Sequence, residues 1–98
     1  MKDILSDLNK AFESRVRLGI MSILMVNDYA DFNTLKEMLE VSDGNLASHI
    51  SALEKLEFLT VSKQFEGKKT KTTYAVTDIG RKAFKDHLDA LERLIRGS

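Results

Sequence analysis

The chain contains no cysteine, no proline and no tryptophan. Lacking cysteine, it can form no disulfide framework, thiolate metal site or cysteine nucleophile. Zero prolines suit a chain with little irregular linker. No apolar run approaches the roughly 20 residues of a membrane span, and no basic-then-apolar leader with a cleavage site is present. The expected address is cytoplasmic, with no membrane partner. A Gly-rich phosphate loop, a Ser-His-Asp set and paired carboxylates in an apolar setting are also missing. An enzyme is therefore a poor expectation, and no cofactor or metal is expected.

Net charge is lacking too: 15 Lys and Arg balance 15 Asp and Glu. That neutrality counts against nucleic acid as a partner, because DNA-binding surfaces usually carry a basic excess. The distribution says more than the sum. Residues 1–27, 28–57, 58–76 and 77–98 carry +1, −5, +3 and +1. The basic excess is thus concentrated in 58–76.

What is present is a globular composition, 43% hydrophobic and 31% charged over 98 residues, enough for one domain, 1–98, with a modest core. Its most informative stretch is VSDGNLASHISALEKLEF, residues 41–58. Leu46, Ile50 and Leu53 recur at helical spacing and predict one buried side. The opposite side carries Gly44, Ser48, Ser51 and Lys55, with Asn45, Ala52 and His49 on the shoulders. A helix in a DNA major groove needs side chains short enough for its backbone to approach, yet able to hydrogen-bond base edges and phosphates. Ser42 or Asp43 can cap this helix and leave further amides facing an anion. The alternative is a core helix with an unremarkable polar face.

Around it the periodicity predicts a first helix over 2–12, with Ile4, Leu5, Leu8 and Phe12 at helical spacing. A second, central helix is capped by Ser14, its core positions being Val16, Ile20, Ile23 and Leu24. Residues 29–32 form a short extended link with Phe32 inward. Asn33 or Thr34 then caps a brief helix that buries Leu35, Met38 and Leu39. A short helix, a tight turn and a polar-faced helix make a helix-turn-helix at 33–57. From Leu59 the period changes to 2, and two β-branched arms flank Glu66-Gly67-Lys68-Lys69, predicting a hairpin wing over 59–76. Its basic tip reads either as a DNA contact or as simple edge protection.

Thr77 caps a last helix, 78–96, with an apolar stripe of Ile79, Ala83, Phe84, Leu88, Leu91, Leu94 and Ile95. The stripe is wide for so small a body. Part should close the core and the rest, Leu88, Leu91, Leu94 and Ile95 with Leu5 and Leu8 of the first helix, should contact a second copy. The alternative is that all of it packs within its own chain. The fold class expected is α+β, mainly α: a winged helix-turn-helix with a two-stranded β wing and a C-terminal dimerisation helix.

Together, SRVRLGIMSIL, LEVSDGNLASHISALEKLEFLTVSKQF and EGKKTKTTYAVTDIGRKAF resemble the winged-helix transcriptional regulators of the MarR/ArsR type, over about residues 15–95. The resemblance implies a homodimer on a pseudo-palindromic site in double-stranded DNA, with the helix of residues 44–56 in the major groove. It makes Asn45, Ser48 and His49 base-edge or phosphate contacts, Lys68, Lys69 and Lys71 wing contacts, and Arg15 and Thr34 phosphate contacts. The wing tip departs from the pattern by offering Lys where such wings often present Arg, which favours plain charge over bidentate reading. ArsR-type metal sensing would need cysteines or clustered His, Asp and Glu. Asp86 and His87 are adjacent and diverge on a helix, while His49 belongs to another element and also reads as a packed residue steadying its helix. A small-molecule effector, not named by any motif, would bind at the dimer contact or between the terminal helices and the core. The rival function is a protein-interaction module using the acidic 28–57 segment.

Overall fold

The computed structural model describes residues 5–97. Its regular elements are α1 (Arg15–Met25), β1 (Ala30–Asp31), α2 (Phe32–Leu39), α3 (Asp43–Lys55), β2 (Leu59–Glu66), β3 (Lys69–Val76) and α4 (Asp78–Arg96), preceded by a single 3-10 turn, Lys10–Phe12. The class is helix-rich α+β, and α2, α3 and the hairpin make a winged helix-turn-helix.

Local chemistry explains most element starts. The hydroxyls of Ser14, Ser42 and Thr77 accept hydrogen bonds from the amides of Arg17, Asn45 and Gly80, capping α1, α3 and α4. The end of α3 is equally determined. Phe58 N donates to Leu53 O and Glu57 N to Glu54 O, a Schellman closure in which Glu57 takes the left-handed φ of 65°. This aims the chain into β2. Across the hairpin, Glu66 pairs with Lys69, so Gly67 and Lys68 form a two-residue loop. Positive φ at Gly67 alone of the two central residues suits a II′-type turn.

The core lies between α1, α3 and the base of the sheet. Ile20, Met21, Leu24, Leu35, Leu46 and Leu53 are fully buried at its centre. Phe12 stacks near Phe58, centroids 5.5 Å apart, and meets Phe84 edge-on at 5.2 Å. This aromatic group joins the N-terminal segment and α4 to the turn after α3. Thr77 strengthens the junction: its hydroxyl donates to Glu57 O at 2.7 Å and its amide to Phe58 O at 3.0 Å. Gly80 then rests directly on the Phe58 carbonyl, where a Cβ would collide with backbone.

Several expectations need correction. The first helix is absent from the described part of its span: Leu8 N closes one turn on Leu5 O, and Asn9 is extended. Asn9 spends its amide on His87 Nδ1 at 3.0 Å and uses its side chain to cap Ala11, so an intrahelical ladder cannot run through it. The portion at 1–4, including Ile4, lies outside the described residues. The cap of α2 is Asp31, not Asn33 or Thr34, because Asp31 leaves the sheet extended and its carboxylate accepts from Thr34 N at 2.7 Å. Met38 is 59% exposed rather than buried. The link at 29–32 supplies a third strand: Ala30 pairs with Tyr74 and Asp31 with Thr73, giving an antiparallel sheet of order β1-β3-β2. Phe32 starts α2 and packs against the core from its edge.

The molecule is long, 59 × 25 × 21 Å, with a Cα radius of gyration of 15.0 Å, against about 13 Å for a compact chain of this length.

Candidate nucleic-acid interface

The buried face of α3 is Leu46, Ile50 and Leu53, as its periodicity predicts. Its outward face shows Gly44, Ala47, Ser48, Ser51 and Lys55, all exposed, with Asn45 exposed beside them. None of these is acidic. The carboxylates nearest this face are turned to other work. Asp43 pairs with Lys36 of α2 at 2.7 Å. Half-buried Glu54 lies near enough to the Tyr74 phenol that, after burial, its charge helps push that phenol's pKa up.

Ser42 is exposed, but its hydroxyl is already committed to the Asn45 amide at 3.2 Å. Gly44 sits in the first turn of α3 with a right-handed backbone, and a Cβ there would meet nothing within 4 Å. Neither conformation nor internal packing requires glycine at this position.

His49 occupies the shoulder toward α1. Its Nδ1 accepts from Arg17 Nε at 3.0 Å, a side-chain contact across 32 residues of sequence. Burial first, then the Arg17 charge, holds the His49 pKa below its usual 6.5. From sequence alone His49 fits either a packed or a contacting role, and nothing marks Arg17 as its partner. A basic residue three positions after a helix cap carries no signal of a partner on another helix.

The wing projects from the base of the sheet. All of β2 after Leu59 is exposed, and Phe65, near the tip, is 80% accessible. Lys68 and Lys69 stand exposed at the turn. Lys71 does not join them freely: it lies 3.7 Å from Asp31 and 3.9 Å from Glu66. Asp31 in turn has its pKa lowered, chiefly by the Thr34 amide, with the Thr34 hydroxyl and Lys71 adding to it. Thr34 and Lys71 are thus engaged around one carboxylate, whereas Arg15 is exposed at the start of α1.

The last helix, α4, buries Gly80, Phe84, His87 and Ala90. Leu88 and Ile95 are 43% and 85% exposed, Leu5 is exposed, and Leu8, Leu91 and Leu94 are half-buried. His87 is buried and accepts from Asn9 N. Burial lowers its pKa against a smaller opposing influence from Glu13. Among the described residues no three His, Asp or Glu side chains converge to hold a metal ion. Among them, too, no helix is long and apolar enough to cross a membrane.

Comparisons with known proteins agree with this geometry. The family model for winged helix DNA-binding domains matches residues 16–95. An uncharacterized protein of Methanocaldococcus jannaschii is 39% identical over 79 residues, which cover 81% of this chain and 86% of that one. The solved structure of a transcriptional regulator homologue from Pyrococcus horikoshii superposes with a TM-score of 0.85 at 31% identity, over 96% of this chain and 91% of that chain. The structure of Bacillus subtilis PadR in complex with operator DNA shares the fold at 17% identity, with a TM-score of 0.67 over 76% of this chain and 46% of that one.

Proposed function

The chain belongs to the winged helix DNA-binding domain family, and from that premise we propose that it is a sequence-specific transcriptional regulator binding a pseudo-palindromic operator as a homodimer. The observation that carries this reading is the outward face of α3: Gly44, Ala47, Ser48, Ser51 and Lys55, with no carboxylate among them. Such a face lets the helix backbone descend between phosphate rows while keeping hydroxyls for base edges. Gly44 fits the same purpose. A glycine that its own chain does not need, one residue into a helix start, leaves room for a phosphate at the amides.

In this reading Asn45, Ser48 and Ser51 contact bases or nearby phosphates, with His49 at the groove edge, while Lys55, Arg15, Lys68 and Lys69 contact the backbone. Ser42, Thr34 and Lys71 act mainly through what they hold in place: the start of α3, the start of α2 and the Asp31 carboxylate. The second copy packs on Leu88, Leu91, Leu94 and Ile95 with Leu5 and Leu8. Residues 1–98 then act as one domain, with the helix-turn-helix at 33–57, the wing at 59–76 and the C-terminal helix at 78–96. Two α3 helices would sit about 34 Å apart, one turn of the duplex. Function is in the cytoplasm and is binding, not turnover. An effector would enter the open groove between the N-terminal segment and α4, beside Asn9, Asp86 and His87.

The test is molar mass by light scattering, with selection from random duplex DNA at about 50 and about 200 mM salt. A dimer neutralising roughly six to eight phosphates gives a log–log slope near −5 to −7. A monomer with no duplex preference removes the reading and directs attention to a protein partner of the acidic 28–57 segment.

A further inference from the structure

We propose that Arg17 is a positioning residue for His49: by donating Nε–H to Nδ1 it holds the ring in the Nε2–H tautomer, so that His49 offers the duplex one donor and no acceptor. The proposal rests on the DNA-binding reading and adds to it which chemistry one shoulder of α3 recognises.

The chemical step is short. A guanidinium stays protonated at any working pH and has no acceptor, so in the contact at 3.0 Å it donates and Nδ1 accepts. An Nδ1 that accepts carries no proton. The neutral ring then bears its hydrogen on Nε2, which becomes a fixed donor. The direction in which burial and Arg17 move the His49 pKa, downward, keeps the ring neutral at physiological pH.

The partners of such a donor follow from base chemistry. It can donate to a purine N7, guanine O6, thymine O4 or a phosphate oxygen, and it cannot accept from a cytosine or adenine amino group. Without Arg17 the imidazole would exchange between tautomers and offer either role, and that discrimination would weaken. Arg17 can hold this arrangement because, among the described residues, no carboxylate forms an ion pair with it. A competing carboxylate would draw the guanidinium off the ring.

Two measurements test the idea separately. Nitrogen NMR of 15N-histidine-labelled protein, without DNA, reads the tautomer directly. The wild type should show Nδ1 unprotonated and Nε2 protonated, and Arg17→Met should shift the ring to a mixture. On the selected duplex, His49→Asn should lose about tenfold and Arg17→Met about twofold, the factor by which a mixed tautomer dilutes the donor, and the double variant no more than His49→Asn. The Asn carbonyl stands near the place of Nδ1, so His49→Asn keeps an acceptor for Arg17 while removing the outward donor. Arg17→Lys, which can still donate to Nδ1, should recover part of the loss. Substituting 7-deazapurines or methylphosphonates in the duplex distinguishes a base N7 from a phosphate oxygen as the acceptor. An unchanged tautomer in Arg17→Met, or losses that add at different positions, overturns the proposal. If the wild type binds no duplex, the functional reading fails instead, and the NMR result still decides the tautomer.

Discussion

α3 and α4 are built alike and finished differently. Each begins with a hydroxyl cap and buries an apolar face on the same core. Outward, α3 shows Gly, Ala, Ser and a single Lys, whereas α4 leaves Leu88 and Ile95 in the open beside the charge pairs Lys82–Asp86 and Arg96–Glu92. The small polar face suits close approach to a hydrated, charged groove. The large apolar one gains by leaving water, and its natural complement is another apolar face. The two helices therefore present surfaces of different chemistry, each suited to a different kind of partner. The Phe12, Phe58 and Phe84 cluster with the Thr77 junction ties them into one body.

The largest effect is expected when the α4 face is made polar. Leu88→Glu with Ile95→Glu puts two charges into the proposed contact while altering only exposed positions. Self-association should weaken by at least about 3 kcal/mol, seen as a monomer by sedimentation with the far-UV circular dichroism of the folded chain unchanged and a thermal midpoint that no longer depends on concentration. An unaltered dimer would place the second copy elsewhere. Next in size is Gly80→Ala, which forces a methyl against the Phe58 carbonyl and should cost about 2–3 kcal/mol in urea unfolding. If instead it is silent, the Phe58 carbonyl yields to the methyl and the joint between α4 and the turn after α3 is loose.

Lys68→Ala with Lys69→Ala should weaken every duplex by at least about a hundredfold at about 200 mM salt, regardless of sequence, and flatten the salt slope by about two for each protomer. Loss at one sequence only would assign the wing a reading role. Gly44→Ala separates stability from binding: helix propensity should raise stability by roughly 0.5 kcal/mol, while the added methyl should lower DNA affinity. A variant both more stable and equally tight would mean that nothing approaches this helix start.

The smallest effect is on pH. His49 and His87 both have pKa values below the ordinary 6.5. The unfolded chain then binds protons that the folded one does not, so their contribution to stability is complete above pH 6.5 and declines as pH falls toward the depressed values. His87→Asn keeps an acceptor for the Asn9 amide and should flatten part of that decline in urea midpoints. A steeper decline would locate the titrating group elsewhere.

Much of this was legible without coordinates because it is local. The caps Ser14, Ser42 and Thr77, the 3.6-residue periods of α1 and α3, and the switch to period 2 at Leu59 each depend on a few neighbouring residues. The misreadings share a cause. The first helix gave way because His87 takes the Asn9 amide from the other end of the chain. Met38 has helical spacing, but among the described residues no element covers it. Lys71 looks like a free wing cation until β1 brings Asp31 beside it.

By itself, then, the sequence determined where the helices and hairpin start and stop, which faces are apolar, and that α3 carries small polar groups outward. These follow from spacing, propensity and capping within a turn or two of chain. Tertiary structure alone decided which charges are neutralised, which apolar residues stay uncovered on α4, and that Arg17 meets His49. Such contacts depend on which distant segment the packed core brings within about 3 Å, and no local pattern encodes that distance.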